Sequence, residues 1–427
     1  MNLQTSELPL FEAKRPKREY GSLLEELESF DEFGTVTRLS VTNYEAGGVI
    51  QETPTLINEF WTAKQRAAHS LHEISYRACF KPQLPRFFIE RLTEPGDVVY
   101  DPFMGRGTTL IEAALLGRIP HGCDINPLSQ VLVRPRLRPP QPKEIAARLG
   151  EIDLARDEAL PEELLVFYHP DTLREIVSLR RYLLDRQMKM AMDEVDEWIC
   201  LVALNRLTGH SPGFFSVYTL PPNQAVSVKS QIRINARRNQ TPPRREVPKL
   251  ILKKSRDLLA DCDSEVRQAL AKVEGSSRLI TGPADDSPRI RSETVSLVVT
   301  SPPFLDVVDY AGDNWLRCWF TGIDPKSVKL TVPRKLDAWM EKMTAVFKEL
   351  HRVLKPGGHV AFEVGEVRGG TVRLEEAVLP CGVAAGIEPL LVLINDQEFT
   401  KTANCWGVDN RAKGTNTNRI VVFRKPL

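Results

Sequence analysis

Residues 96–124, GDVVYDPFMGRGTTLIEAALLGRIPHGCD, hold the pattern on which the fold turns. Val98, Val99 and Tyr100 form a short apolar run after the Pro95-Gly96 turn signal, as expected of a buried strand. Glycines at 105 and 107 precede an Ala/Leu-rich helix that Gly117 can close, and Ile119 to Cys123 read as a second strand ending on Asp124. Strand, glycine turn, helix and strand make a βαβ unit, which predicts a parallel sheet with helices on its faces. Glycine lets the backbone approach a ligand, and the helix N-terminus behind the turn faces that ligand. Leu110 stands where a nicotinamide fingerprint GxGxxG places its third glycine, which speaks against a dehydrogenase.

Outward from this unit the pattern changes. Upstream, a helical pattern runs from about Trp61 into KPQLPRFFIERL, and residues 1–60, with Lys14, Arg15, Lys17 and Arg18 beside an acidic stretch from Ser22 to Asp31, read as a loosely attached arm. Downstream, the proline-rich VRPRLRPPQPKE, residues 133–144, is expected to interrupt regular structure and mark a boundary. Beyond it, DTLREIVSLRRYLLDR with a candidate N-cap at Asp171, and Val195, Trp198, Ile199 and Val202 at helical spacing, predict an α-rich insertion over 141–274. Sheet-like sequence resumes at Arg278-Leu279-Ile280-Thr281, continues in VSLVVTSPPF, and returns after LHRVLKPGGHVAFEVGE and in NRIVVFRK. The implied division is an arm at 1–60, an α/β domain built from 61–140 and 275–427, and the insertion between them.

The whole chain of 427 residues has 57 Lys and Arg against 56 Asp and Glu, a net charge of +1. This excludes a uniformly basic scaffold. Ordinary apolar and charged fractions exclude a disordered chain, and no run approaches the roughly 18 apolar residues of a membrane helix. A soluble, cytoplasmic protein is expected. Seven cysteines, at 79, 123, 200, 262, 318, 381 and 405, show no CxxC pair, so neither a disulfide framework nor a metal site is expected.

DPFMGRGTT, Asp124 at the next strand end and TSPPF two hundred residues later resemble, in combination and order, the S-adenosylmethionine-dependent amino-methyltransferases of DNA, the cytosine-N4 group in particular. The resemblance covers about 61–140 and 275–427. It implies a Rossmann-like class I methyltransferase sheet, α/β in class, with an α-rich insertion that recognises the target.

What the resemblance carries over is residue-specific. Asp101 and the backbone around Phe103, Gly105, Gly107, Thr108 and Thr109 would line the methionine moiety of S-adenosylmethionine. Asp124 matches the acid that takes the ribose hydroxyls, two acceptor oxygens suiting a vicinal diol; the alternative is a helix N-cap. Lys81 and Pro82, in FKPQLP, match a looser motif at the cofactor's methionine end. Asp285 is favoured over Asp286 as the adenine-contacting acid, the alternative being a solvated turn carboxylate.

Ser301, Pro302, Pro303 and Phe304 match the catalytic tetrad. An exocyclic amine is a poor nucleophile because its lone pair is delocalised into the ring, so acceptors must weaken that conjugation. Two prolines fix φ at the carboxyl end of a strand, where open α/β sheets place ligands. The Ser301 hydroxyl and Pro302 carbonyl are the candidate acceptors, and Phe304 the ring that stacks on the base. The amine then attacks the sulfonium methyl directly, through proximity and alignment. Serine in the tetrad favours cytosine N4 over adenine N6. Pro380-Cys381 lies too far downstream to be the nucleophile of carbon-5 methylation.

The window 229–256 holds ten basic residues against the single acid Glu246. Lys229, Arg233, Arg237, Arg238, Arg244, Arg245 and Lys249 are candidates for phosphate neutralisation, with Gln231, Asn235, Asn239 and Gln240 able to read base edges. Just before it, Phe214, Phe215 and Tyr218 either stack beside a flipped nucleotide or pack onto the insertion. The expected partners are duplex DNA and, if the protein serves restriction-modification rather than epigenetic marking, a cognate restriction endonuclease. An RNA base-amine substrate is the alternative.

Overall fold

A computed structural model describes residues 22–61, 68–76, 79–156, 159–219, 225–305, 310–325, 328, 333, 335–367, 372–396 and 417–427. Helix α1 (Leu23–Glu28) precedes an antiparallel hairpin of β1 (Arg38–Ala46) and β2 (Val49–Asn58). Helix α2 (Gln83–Leu92) leads into the expected βαβ unit, β3 (Val98–Asp101), α3 (Thr108–Leu115) and β4 (Ile119–Asp124). Then come α4 (Leu128–Leu137), α5 (Pro142–Glu151), α6 (Pro170–Met188), α7 (Glu194–Leu204), α8 (Val228–Arg238), α9 (Val247–Leu258) and α10 (Ser264–Glu274). The sheet resumes with β5 (Arg278–Thr281) and β6 (Val295–Thr300), followed by α11 (Tyr310–Thr321), α12 (Leu336–Val353) and β7 (Leu354–Val364). A two-stranded ribbon of β8 (Glu366–Val367) and β9 (Val372–Arg373), helix α13 (Leu374–Ala384), β10 (Glu388–Asp396) and β11 (Thr417–Arg424) complete the order.

The main sheet has nine strands in the order β1-β2-β10-β11-β7-β6-β3-β4-β5. From β7 to β5 all neighbours are parallel, and β11 runs antiparallel to both β7 and β10. The chain winds outward from β3 through β4 to β5, then returns to β6 on the other side of β3. That reversal opens a crevice at the carboxyl ends of β3 and β6, the place where such sheets bind ligands. This is the Rossmann-like α/β arrangement that the sequence implies.

Strand alternation builds two cores. Val99, Leu297, Val299 and Ala361 face α2 and pack with Phe87 and Phe88. Tyr100, Val298, Val360 and Phe362 face the other way, against Trp339 and Phe347 of α12 and Val378 of α13. The helices between β4 and β5 share a third core around Trp198, Leu201 and Ile251, joined to Ile111 of α3 and Leu132 of α4. The insertion is therefore welded to the flank of the sheet.

Three expectations are corrected. Residues 22–60 are not a loose arm: β2 pairs in parallel with β10 from Thr55 to Asn58, and Leu27, Leu56, Phe60 and Trp61 enter the α2 core. Residues 1–21, with the basic cluster, lie outside the described residues. The helical pattern from Trp61 yields only a single turn at Ser70–His72 before α2, with residues 62–67 not described. The proline-rich stretch does not stop regular structure, because α4 carries Pro135 inside it and Pro142 opens α5 at its first turn, where a missing N–H costs nothing.

Candidate active site

The glycine turn is shaped by two positive-φ residues, Gly105 at +47° and Gly107 at +76°. A Cβ on Gly107 would sit 2.3 Å from Cγ2 of Val133, so only glycine fits there. The Gly105 N–H donates to Oδ2 of Asp124 at 2.8 Å, and the Asn126 N–H donates to Oδ1, also at 2.8 Å. Asp124 therefore ties the turn to the start of α4 rather than capping the helix, whose N-cap is Pro127. Its carboxyl is raised above the usual range by burial.

Asp101, at the end of β3, is 2% exposed. Oδ1 accepts from the Phe103 N–H at 3.0 Å and from the Thr300 hydroxyl at 2.6 Å. Burial pushes its pKa up to about 7, against the opposing pull of the Thr300 and Phe103 hydrogen bonds, with the nearby charge of Asp124 adding to the rise. A second hydroxyl, on Thr109, donates to the Val299 carbonyl at 3.0 Å. These two bonds fasten the glycine turn to β6, the strand that delivers the tetrad.

Ser301 to Phe304 follow β6 directly. The Ser301 hydroxyl meets the carboxyl of Glu363 near the end of β7, and Asn418 of β11 donates its amide to Oε1 of Glu363 at 2.6 Å. Burial raises the Glu363 pKa despite these two bonds. The Trp339 indole donates to the Pro303 carbonyl at 3.1 Å, one residue beyond the Pro302 carbonyl singled out from the sequence. Phe304 is half-buried and packs against Gly365, where a Cβ would approach its ring to 3.2 Å. Asp101, Asp124, Ser301 and Glu363 thus come from adjacent or near-adjacent parallel strands at one edge of the sheet.

Two arginines hold the chain that precedes α2 against this turn. Arg106 donates to the carbonyls of His72, Ile74 and Phe80. Arg136, fully buried, donates to the carbonyls of Leu132, Leu71 and Arg106, and burial lowers its pKa to about 9. The segment they hold places Tyr76 beside Gly105, with Pro82 buried at the start of α2 and Lys81 exposed.

Sequence reasoning missed Thr300, Glu363, Asn418, Arg106 and Arg136. Glu363 carried a signal: like Asp101, it is an acid at the end of an apolar strand run. The Asp285 carboxylate pairs with Lys342 of α12 at 2.6 Å. Among the described residues no His, Cys, Asp and Glu cluster could hold a metal. Cys381 is buried in α13, its thiol bonded to the Ala377 and Met340 carbonyls. A cavity of about 710 Å³ opens between α6 and α11, but no candidate site residue lines it.

The basic window divides. On α8, Lys229, Arg233 and Arg237 are exposed, and none of the ion pairs among the described residues involves them. Arg238 lies over the Tyr218 ring at 3.7 Å. Arg244 pairs with Glu175, Lys249 with Glu246 at 3.3 Å and Lys254 with Glu73 at 3.4 Å, while Arg245 is half-buried. Three of the four amides expected to read bases are spent internally, Gln231 and Gln240 donating to the Tyr218 carbonyl and Asn235 to that of Val166, while Asn239, which ends α8, is exposed. Phe214 and Phe215 are buried, so they pack onto the insertion rather than stack on a nucleotide. No helix among the described residues is long and apolar enough to cross a membrane.

Residues 13–130 match the DNA methylase family model. The type II methyltransferase M.BsoBI of Geobacillus stearothermophilus is 24% identical over 319 residues, 66% of this chain and 58% of that relative. M.MvaI of Kocuria varians is 32% identical over 111 residues, 25% of this chain and 23% of the relative. M.MjaII of Methanocaldococcus jannaschii is 28% identical over 148 residues, 31% and 25% of the two chains. The chain spans less than two thirds of the length of each of these curated relatives. The family-model match, these relatives and a glycine turn tied to the Ser301 strand support the DNA amino-methyltransferase family, without dividing its adenine-N6 and cytosine-N4 branches.

Proposed function

We propose that this chain transfers a methyl group from S-adenosylmethionine to the exocyclic amine of a base flipped out of duplex DNA, with cytosine N4 as the target. The observation that carries the reading is the Thr300–Asp101 bond, which holds the cofactor turn and the tetrad strand in one rigid arrangement. The residues at the turn suit the cofactor. Asp101 offers a buried carboxyl for a cationic methionine moiety, and Asp124 keeps acceptor lone pairs beyond the two N–H groups it holds, for a ribose diol. When bound, S-adenosylmethionine supplies an electrophilic methyl on sulfur.

The chain's own groups do the rest. Phe304 stacks on the base, Ser301 and the Pro302 carbonyl accept from its amine, and Glu363 orients the Ser301 hydroxyl. The type II methyltransferase relatives support restriction-modification as the setting, with a cognate endonuclease as partner.

Expression in a methylation-free host, followed by single-molecule sequencing, tests the reading. N4-methylcytosine at one sequence motif is expected. N6-methyladenine would move the target to the other branch, and unmodified DNA together with methylated RNA would overturn the DNA assignment. Ser301→Ala should lower turnover by about 10²-fold or more with cofactor affinity kept, as read by calorimetry.

A further inference from the structure

Lys229, Arg233 and Arg237 recur every fourth residue on α8, so their Cα atoms step by about 6 Å along the helix axis. That pitch is close to the separation of successive phosphates on one nucleic-acid strand. All three side chains are exposed, and α8 contains no acid to neutralise them. Three other basic residues nearby differ, since Arg244, Lys249 and Lys254 face the carboxylates of Glu175, Glu246 and Glu73, while Lys253 and Arg256 on α9 are exposed like the α8 stripe. The amide side chains on α8 able to read a base edge are turned inward, Gln231 to the Tyr218 carbonyl at 3.1 Å and Asn235 to the Val166 carbonyl at 2.7 Å.

The helix is also fixed relative to the site. The Ala225 N–H, just before α8, donates to the Asp313 carbonyl of α11, and the Trp315 indole of α11 donates to the Val226 carbonyl, both at 3.3 Å. Arg317, two residues further along α11, donates to the Ser75 carbonyl at 3.0 Å, in the segment that sets Tyr76 beside Gly105. A continuous chain of bonds therefore runs from the α8 stripe to the glycine turn.

We infer that α8 is a phosphate rail: Lys229, Arg233 and Arg237 hold one strand of the DNA backbone without regard to sequence, and the reading of bases falls to other parts of the insertion. The inference rests on the DNA reading above and adds a division of labour to it. Contacts to phosphate orient a duplex and carry no sequence information, whereas base-edge contacts specify.

The test is anisotropy of the full-length protein with a fluorescent 30-base-pair duplex of random sequence, titrated across a range of KCl concentrations. Each phosphate contact contributes about 0.9 to the slope of log affinity against log salt. Arg233→Gln with Arg237→Gln should therefore reduce that slope by about 1.8, at two contacts of about 0.9 each. Lys348→Gln, an exposed lysine on α12, should leave it unchanged. Calorimetry with S-adenosylmethionine checks that the variant keeps its fold, and sequencing of DNA from cells expressing it should show the same methylated motif at lower occupancy. An unchanged slope, or a changed motif, would overturn the rail. Tighter salt-dependent binding of an RNA duplex of the same sequence would assign the surface to a different partner and overturn it as well. Salt-dependent DNA binding that loses its slope in the variant, in a protein that methylates nothing, would sink the enzymatic reading and leave the rail standing.

Discussion

The N–H of Gly105 and the carboxylate of Asp124 are 2.8 Å apart, so the acid at the end of β4 is a structural partner of the glycine turn as well as a candidate ligand for the cofactor's ribose. Asp124→Asn leaves one amide nitrogen where an acceptor stood, and either the Gly105 or the Asn126 N–H loses its partner. An unsatisfied buried N–H costs about 1–3 kcal/mol. The expected result is a rise in KM for S-adenosylmethionine of about 10-fold or more, with kcat at saturating cofactor little changed. Unaltered KM would remove Asp124 from the cofactor site.

Gly107→Ala forces a side chain into a left-handed backbone position and into Val133. Strain of this kind costs about 1–3 kcal/mol before the clash is counted. Denaturant unfolding should show a lower midpoint, and pairing the change with Val133→Ala should recover part of the loss. No recovery in the double variant would mean that the contact with Val133 is not what excludes the side chain.

The raised carboxyl of Asp101 gives the site a pH dependence. With a folded pKa of about 7, the protonated acid is the form the fold favours, so the stability it contributes is complete below the ordinary carboxylate range and is lost as pH rises through 7. A cationic ligand has the opposite preference, because it binds the ionised acid. Affinity for S-adenosylmethionine, measured by calorimetry between pH 6 and 8 (about one unit on each side of that pKa), should increase with pH. Asp101→Asn should flatten the profile; a wild-type profile that is already flat would show that Asp101 does not face the cofactor's charge.

Leu56 of β2 is fully buried in the α2 core. If the hairpin is part of the domain, Leu56→Ala should destabilise the whole protein by about 2–5 kcal/mol in a single unfolding transition. A separate early transition, with the rest of the protein unaffected, would restore the picture of a detachable arm.

The parts that could be read from the chain alone are those whose constraints are local. Gly105, Gly107 and Asp124 lie within twenty residues of one another, and strand, turn and helix leave their pattern in adjacent positions. Glu363 and Asn418 meet only because β11 is inserted beside β7, a pairing that no short window reveals. The basic window misled for the same reason. A count along the chain finds one acid, while folding brings Glu175 and Glu73 to Arg244 and Lys254 from outside the window. Strand β1 is hard to read from RLSVTNYEA because its alternation is short, Leu39 and Val41 only, and Tyr44, the one residue of the strand that is buried, falls out of that phase.

Strand β11 is the keystone between two half-sheets. The hairpin of β1 and β2 reaches the rest of the sheet only through β10, and β10 only through β11. Until residues 417–424 dock, the ladder from β7 to β5 and the ladder from β1 to β10 share no backbone hydrogen bonds, and Glu363 lacks the amide that anchors it. Local and distant constraints thus close different parts of the same crevice: the glycine turn forms from one stretch of chain, whereas the Ser301–Glu363 pair gains its Asn418 partner only when β11 seats between β7 and β10.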